Sequence, residues 1–137
     1  MRQVFNIGDQ KYHHKIVDKA DLANFDAGMV HPVCSTFSLS REMEWASRLF
    51  VLEMLDDDEE GIGTRLEINH LSPALEGEQL ELIARVKSII GHEIICDVQI
   101  RVANRLIAEG ITGQKILKKD KIEDLISKIK KDGRKGE

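Results

Sequence analysis

Apolar and polar residues alternate through most of the second half of the chain with a period of two, which is typical of strands with one buried face. A further strand is predicted over residues 106–117, and short turns are predicted at residues 91–92 and 104–105. The pattern therefore predicts four consecutive antiparallel strands. The apolar faces of the first three carry Ile62, Thr64, Leu66, Ile68 and His70; Leu80, Leu82, Ala84 and Val86; and Ile94, Cys96, Val98, Ile100 and Val102.

A different pattern precedes these strands and predicts one long helix over residues 39–55. Apolar side chains cover well over half of its circumference, whereas a helix on a protein surface shows one narrower apolar stripe. We therefore expect other elements to surround this helix on most sides. Ser38 or Ser40 is the predicted N-cap. The acidic run at residues 56–60 is predicted to be a solvated loop, because acidic side chains are unfavourable at a helix C-terminus.

The two ends of the chain show weaker patterns. Residues 10–17 predict a first strand, and residues 18–33, with helix and strand breakers at Gly28 and Pro32, predict a loop. Residues 121–131 predict a last helix with one apolar face. Because nine Lys and Arg face five Asp and Glu within residues 115–137, the tail is interpreted first as a solvated basic helix. We divide the chain into a main domain at residues 1–120 and a basic C-terminal helix and tail at residues 121–137.

Together these elements predict an α+β protein in which an antiparallel sheet wraps around one long central helix. A sheet with one apolar face must cover that face, and a single helix lying across a curled sheet does so. This is the hot-dog arrangement. The sheet leaves open edges, and pairing with a second copy is the simplest way to cover one of them. We therefore expect a homodimer, or a dimer of such dimers.

The composition narrows the cellular context. The chain has 137 residues, of which 42% are hydrophobic and 32% charged, as in ordinary globular domains. Its net charge of −4 argues against general nucleic-acid binding, and its two cysteines fit a reducing cytosol. No apolar run approaches the ~20 residues of a membrane span, and the first residues lack a signal-peptide core. We expect a cytoplasmic protein with neither a nucleic-acid nor a membrane partner.

Three polar residues stand in places that call for an explanation. His70 ends an apolar strand face, where burial would favour a neutral imidazole that accepts a proton; the alternative is a core histidine bonded to a backbone carbonyl. Glu44 lies on the nearly apolar helix, either as a functional carboxylate or in an ordinary ion pair with Arg48 four residues on. Thr36 precedes the predicted helix, where its hydroxyl either caps the helix or helps to hold a developing oxyanion.

Other candidate sites are weaker. Cys34 would suggest a thiol nucleophile if it lay near His70, but a small buried cysteine is the favoured interpretation. His13 and His14 are adjacent on a predicted strand and point to opposite faces, which disfavours a metal site. Phosphate-loop, dinucleotide and zinc-site spacings are absent from the sequence. We therefore predict neither a metal nor a separate cofactor.

These residues fall within motifs that resemble the fluoroacetyl-CoA thioesterase-like branch of the hot-dog superfamily. That family carries a threonine, a glutamate eight residues later, and a histidine seven residues after a Gly-Thr pair begins. The spacing from Thr36 to Glu44 is eight residues here, and the spacing from Gly63 to His70 is seven. The resemblance covers roughly residues 33–112. Its motifs are Ser35-Thr36-Phe37, Met43-Glu44-Trp45-Ala46, Gly61-Ile62-Gly63-Thr64 and Asn69-His70.

The resemblance implies an acyl-CoA thioesterase for a short or medium acyl group, with CoA as part of the substrate. Thr36, Glu44 and His70 would be the catalytic residues, and Gly63 and Thr64 would contact the substrate. Glu44 would either activate water as a base or attack the thioester directly, and the sequence does not decide between these routes. The alternative is a non-catalytic hot-dog module that binds acyl-CoA or a related ligand.

Two segments depart from the family pattern. Fluoroacetyl-specific enzymes cover the pocket with aromatic residues in the loop before the threonine, whereas residues 26–34 here contain none. The late strand of many relatives reads Gly-Thr-His-Glu-Arg, whereas residues 110–114 read Gly-Ile-Thr-Gly-Gln. These departures argue against fluoroacetyl selectivity and predict different CoA contacts.

Overall fold

A computed structural model describes the chain at residues 1–25 and 28–135, with side chains described at residues 1–24 and 32–133. The strands and helices follow one another in the order that the sequence predicts, with one additional strand pair before the long helix. A single 3-10 turn covers Lys19–Asp21. The elements of the described residues are β1 (Gln10–Ile16), β2 (Leu22–Phe25), β3 (Gly28–Cys34), α1 (Thr36–Met54), β4 (Glu59–His70), β5 (Gln79–Ile90), β6 (Glu93–Val102), β7 (Arg105–Lys118) and α2 (Lys119–Lys135).

Five strands form one antiparallel sheet in the order β1-β5-β6-β7-β4, and α1 lies across it in contact with all five. The core lies between them and is almost wholly aliphatic. From α1 it receives the fully buried side chains of Leu39, Met43, Phe50 and Met54. Strands β5 and β6 carry the alternating buried apolar side chains that meet them, and β7 adds Ile107, Ala108 and Ile116. The predicted α+β hot-dog fold is confirmed.

The start of α1 differs from the prediction. Helix α1 begins at Thr36, and its N-cap is Ser35, whose side chain accepts a 3.0 Å hydrogen bond from the Ser38 amide. The predicted caps Ser38 and Ser40 both lie inside the helix, and the Ser40 hydroxyl donates to the Thr36 carbonyl. The sequence is ambiguous here because three serines follow one another at short spacing. The structure places Thr36, a candidate site residue, in the first turn.

The predicted loop at residues 18–33 is wrong for most of its length, because strands β2 and β3 pair there as a separate two-stranded sheet. Their register is irregular, with shifts on both sides of Ala23. Such shifts break the period of two, and this is the physical reason why the sequence suggests a loop. Residues 26 and 27 of the predicted loop lie outside the described residues.

The acidic run is also only partly a solvated loop. Strand β4 already begins at Glu59, whose side chain is buried. One Glu59 oxygen lies 2.7 Å from the amino group of Met1 and accepts the Asp56 amide at 2.9 Å. A buried carboxylate is tolerated when it is paired and hydrogen-bonded in this way. The prediction considered only the helix terminus and missed this distant partner.

A β-bulge at Thr64 changes which residues of β4 face α1. Gly63 pairs with Gln114 and Arg65 pairs with Gly113, so Thr64 is the extra residue. Before the bulge the odd-numbered Gly63 faces the helix, as its contact with a helix side chain shows. After the bulge the even-numbered residues do, because they pair with the helix-facing positions 112, 110 and 108 of β7. The predicted face is therefore wrong for Ile62 and correct from Leu66 to His70.

The remaining differences concern element ends. The turn between β6 and β7 lies at Ala103-Asn104, one residue earlier than predicted, and Ala103 adopts a φ of 50°. Helix α2 follows β7 directly from Lys119, so it begins before residue 121; the division of the chain at residue 120 stays a prediction. No helix among the described residues combines the length and the hydropathy that a membrane span requires.

Candidate functional site

Thr36 and His70 meet where α1 begins and β4 ends. The Thr36 hydroxyl lies 2.9 Å from Nδ1 of His70, a hydrogen-bonding distance. The chain enters the helix in a fixed path, since the amide of Cys34 donates to Ala74 and that of Ser35 donates to Asp21. The sequence predicts both residues, and the structure brings them together within one chain.

The second ring nitrogen of His70 has a different environment. Nε2 is buried and has no hydrogen-bond partner among the described residues. Buried polar atoms are nearly always paired, so an unpaired one in a native fold needs an explanation. A neutral imidazole carries one N–H donor and one acceptor, and the Thr36 hydroxyl can serve either role at Nδ1. Nε2 is therefore free to exchange a hydrogen bond or a proton with a group that approaches it.

Glu44 lies on the exposed side of α1, with its carboxylate against the backbone of β4 at Gly63. A Cβ atom at position 63 would overlap Oε1 of Glu44, so only glycine allows this approach. The proposed pair with Arg48 is not formed: Arg48 donates to Glu60 at 2.8 Å and to the carbonyl of Gly61 at 3.2 Å. Within the described part of the chain, Glu44 has no ion-pair partner.

The described chain thus holds two separate pairs, Thr36 with His70 and Glu44 with Gly63. Eight residues of α1 separate Thr36 from Glu44, which is about 12 Å along the axis at ~1.5 Å per residue. The Glu44 carboxylate can therefore act together with the Thr36–His70 pair only if a substrate or a water molecule lies between them. The arrangement offers a carboxylate at the helix centre and a hydroxyl-imidazole pair at its start.

Two hydrogen bonds made by side chains that the sequence does not single out, those of Gln114, Ser47 and Thr112, hold α1 against β7 at this level. Gln114 is buried on β7 and donates from Nε2 to the carbonyl of Glu44 at 3.1 Å. Ser47 and Thr112 share a buried hydrogen bond of 2.5 Å. The alternation of β7 could have identified these residues in the sequence, since Thr112 and Gln114 occupy positions that would otherwise carry apolar residues facing the helix.

Thr64, predicted to contact substrate, is the bulged residue of β4. Its hydroxyl donates to Oε2 of Glu93 at 2.7 Å, and its side chain is exposed. Gly63, the other predicted substrate contact, lies directly at Glu44. The bulge therefore sets the glycine and the threonine apart, although they are neighbours in sequence. Both substrate contacts stay predictions.

The cysteines have the chemistry of core residues. Burial raises the pKa of the Cys34 thiol to about 12, and it raises that of Cys96 to about 12 as well. The thiolate is the nucleophilic form of cysteine, so both groups are unreactive near neutral pH. This agrees with the interpretation of Cys34 as a small buried residue.

Comparison with known proteins identifies the family. The profile of the FlK family, the fluoroacetyl-CoA-specific thioesterases, matches residues 17–120, which is most of the chain. The chain belongs to this family. The matched range contains all five candidate residues of the FlK-like site, from Thr36 to His70. No curated protein sequence matches the chain significantly.

Solved structures agree with this assignment. A hypothetical protein from Thermus thermophilus, named as a thioesterase superfamily member, is 31% identical; the alignment covers 96% of this chain and 98% of that one, with a TM-score of 0.91. The fluoroacetyl-CoA thioesterase FlK aligns at 18% identity over 90% and 96%, with a TM-score of 0.83. A hot-dog-like protein from Thermanaerovibrio acidaminovorans aligns at 18% identity over 90% and 92%, also at 0.83.

Proposed function

We propose that this FlK-family chain is an acyl-CoA thioesterase that hydrolyses a short or medium acyl-CoA to the free acid and CoA. The observation that carries the proposal is the Glu44 carboxylate, which lies against Gly63 with no ion pair among the described residues. The carboxylate is on the exposed side of α1 and its Oε1 atom lies close to the backbone of Gly63. This carboxylate is available to a water molecule or to a thioester carbon.

Two routes fit the same atoms. In the first, Glu44 takes a proton from water as the water oxygen attacks the thioester carbon, and the carbon–sulfur bond breaks to release CoA thiolate, which then takes up that proton. In the second, Glu44 attacks the carbon itself and expels CoA, and water then hydrolyses the mixed anhydride. The backbone N–H of Gly63 is our candidate contact to the acyl group. His70, bonded to Thr36, would exchange a proton through Nε2.

The acyl group that we propose is short or medium in length. FlK itself is named for fluoroacetyl-CoA. In this chain the segment expected to cover the acyl pocket, residues 26–34, contains no aromatic residue. Residues 26 and 27 of that segment, and the side chains of residues 28–31, lie outside the described residues. We therefore keep a short or medium acyl chain as the substrate class, in the cytoplasm.

The assembly that we propose is a homodimer joined through β4. Strand β4 is twelve residues long and lies at one edge of the sheet, where Ile62 and Leu66 are exposed. The other edge, β1, carries Lys11 and Lys15, and lysines on an edge strand discourage pairing. Because Gly63 lies on β4, the dimer edge would also run past Glu44.

The proposal is tested by turnover of an acyl-CoA panel, monitored as released thiol. The parent chain should hydrolyse at least one short or medium acyl-CoA. Glu44→Gln removes the charge and keeps the size, so hydrolysis should fall about 100-fold or more, the scale of losing a positioned base. Glu67→Gln is the matched control, since Glu67 is on β4 and pairs only with the exposed Arg65 among described residues. It should leave turnover unchanged.

The competing proposal is a non-catalytic module that binds acyl-CoA. Its distinguishing result is binding of an acyl-CoA by calorimetry without release of thiol across the whole panel. Near-normal turnover of Glu44→Gln on a substrate that the parent hydrolyses would instead support thioesterase activity and contradict a role for Glu44 in its mechanism.

A further inference from the structure

Helix α2 exposes an apolar stripe that has no cover in the described chain. Leu125 and Ile126 are about half exposed, and Ile129 is 69% exposed. With Ile122 these residues recur at spacings of three and four, so they share one face of the helix. A helix of 17 residues is marginal in water and gains most of its stability by burying such a face. The stripe therefore indicates a partner surface.

Two exposed leucines, together called the Leu71–Leu75 patch, follow the opposite end of β4. Leu71 and Leu75 follow His70 and are 55% and 50% exposed. Leu71 is held in place by its amide, which donates to the carbonyl of Ile107. The patch lies beside the Thr36–His70 pair, because His70 directly precedes it. The α2 stripe and the Leu71–Leu75 patch are thus two of the exposed apolar surfaces among the described residues.

The topology separates these two surfaces within one chain. Glu59, the first residue of β4, pairs with Lys118, and α2 begins at the next residue. Helix α2 therefore starts at the beginning of β4, whereas the patch follows its end. Twelve strand residues lie between them, about 40 Å at ~3.3 Å per residue. A helix of this length spans only about 25 Å.

Pairing of two β4 strands brings the surfaces together. In an antiparallel pair whose two-fold axis passes through the middle of β4, the first residue of one strand lies beside the last residue of the other. Helix α2 of one copy would then start next to the Leu71–Leu75 patch of the second copy. The charges agree in sign: residues 119–135 carry seven basic and four acidic residues, whereas residues 71–78 carry Glu76 and also Glu78, which is paired with Arg105 at 2.7 Å.

We propose that α2 of each chain packs its apolar stripe on the Leu71–Leu75 patch of a second copy and covers that copy's Thr36–His70 pair. The inference rests on the proposed β4 dimer. In that dimer, α2 of the partner chain adds residues to each site. This contact also gives the basic C-terminal helix a role at the end of the acyl-CoA site, on the partner chain.

Engineered cysteines test the contact between copies. One preparation carries Leu71→Cys and a second carries Leu125→Cys, and the two are mixed, allowed to exchange subunits and oxidised. The native Cys34 and Cys96 do not compete, because burial raises their pKa to about 12. The expected product is a disulfide-linked species of twice the chain mass, formed only in the mixture. Ser127→Cys, on the opposite face of α2, is the matched control and should give little of it.

The outcomes separate this inference from the assembly on which it rests. A monomeric parent in light scattering would overturn both the β4 dimer and the contact. A stable dimer whose mixed cysteines stay unlinked would overturn the contact alone. So would an intrachain disulfide at monomer mass in the Leu71→Cys/Leu125→Cys double variant. Binding of the parent to phosphatidylserine vesicles, with no cross-link in the mixture, would assign the stripe to a lipid surface instead.

A kinetic measurement supplies a second readout. Ile129→Asp places a charge in the stripe and should raise the KM for acyl-CoA several-fold while the chain stays dimeric. Ser127→Asp, on the solvent side of the same helix, should leave the KM unchanged. Equal kinetics for the two variants would contradict a contribution of α2 to the site.

Discussion

Gly63 determines where the carboxylate of Glu44 can lie. The sequence predicts both residues, Glu44 as a charge on an apolar helix and Gly63 by family resemblance. It does not predict their contact, because the contact depends on the bulge at Thr64, which turns Gly63 towards the helix. Thr36 and His70 are also predicted, but their hydrogen bond needs the exact start of α1. Spacing along a sequence identifies such residues and leaves their geometry undetermined.

Gly63→Ala should lower turnover and leave the fold intact. The added methyl group would overlap only the end of the flexible Glu44 side chain, which can move aside into solvent. We expect about a tenfold to 100-fold loss of thiol release, since a displaced base loses part of its 10²–10⁴-fold effect. Adding Glu44→Gln to this variant should cost much less than it costs the parent. Fully additive losses would show that Gly63 does not act through Glu44.

The hydroxyl of Thr36 is expected to matter more than its methyl group. Thr36→Val keeps the shape and removes the hydrogen bond to His70, so turnover should fall by about 100-fold if the pair transfers a proton. Thr36→Ser keeps the hydroxyl and should retain most of the activity. The free energy of unfolding of both variants should stay within about 1 kcal/mol of that of the parent, since Ser35 caps the helix. Equal turnover of the two variants would exclude a role for this hydroxyl.

The cysteine pKa values give a further prediction. The folded chain holds the thiol protons of Cys34 and Cys96 more tightly than the unfolded chain, whose thiols have a pKa of about 8.5. This contribution to stability is therefore complete below pH ~8.5 and declines as the pH rises towards about 12. At pH 8 an aromatic disulfide reagent should find no fast-reacting thiol in the native chain and two in guanidinium chloride. A fast-reacting native thiol would contradict the burial of both residues.

At the level of elements, the period of two predicts the existence of β4 to β7, and in β5 and β6 buried residues alternate with solvent-facing ones over long stretches. The same signal fails at two places where the register shifts. It misses β2 and β3, whose pairing shifts around Ala23, and it assigns Ile62 to the wrong face of β4. A bulge is set by pairing with a distant strand, so a local pattern cannot reveal it. The helix is predicted correctly in its centre and displaced at its start.

Mutation of the serines can test that start. Ser35→Ala removes the side chain that accepts the Ser38 amide, and it should lower the free energy of unfolding by about 1 kcal/mol. Ser40→Ala removes only a bond to the Thr36 carbonyl inside the helix and should change stability by less than about 0.5 kcal/mol. Chemical denaturation of the two variants measures the difference. A larger loss for Ser40→Ala would place the N-cap where the sequence alone suggests it.

For the whole molecule, the balance of sheet and helix could be predicted because one apolar helix and one half-buried sheet have few ways to cover each other. The contacts of the chain's first residue could not be predicted. The Met1 amino group pairs with Asp56 and with the buried Glu59, and no pattern near residues 56–60 indicates this. Surfaces that a second copy would cover are also invisible in the pattern of one chain. They become apparent only as exposed apolar residues in a folded subunit, such as Ile62 and Leu66 on β4.

The β4 edge therefore provides the last prediction. Ile62→Lys should weaken the dimer about tenfold or more, because a lysine on an edge strand discourages pairing and its charge would lose water between the paired strands. The fold of each chain should survive, since Ile62 is 38% exposed already. Ile90→Lys is the control: Ile90 is 77% exposed and lies on β5, three strands away from the β4 edge. Light scattering across a dilution series should show dissociation of the first variant at concentrations where the parent and the control remain dimeric. If Ile62→Lys stays as tightly associated as the control, the copies do not meet through β4.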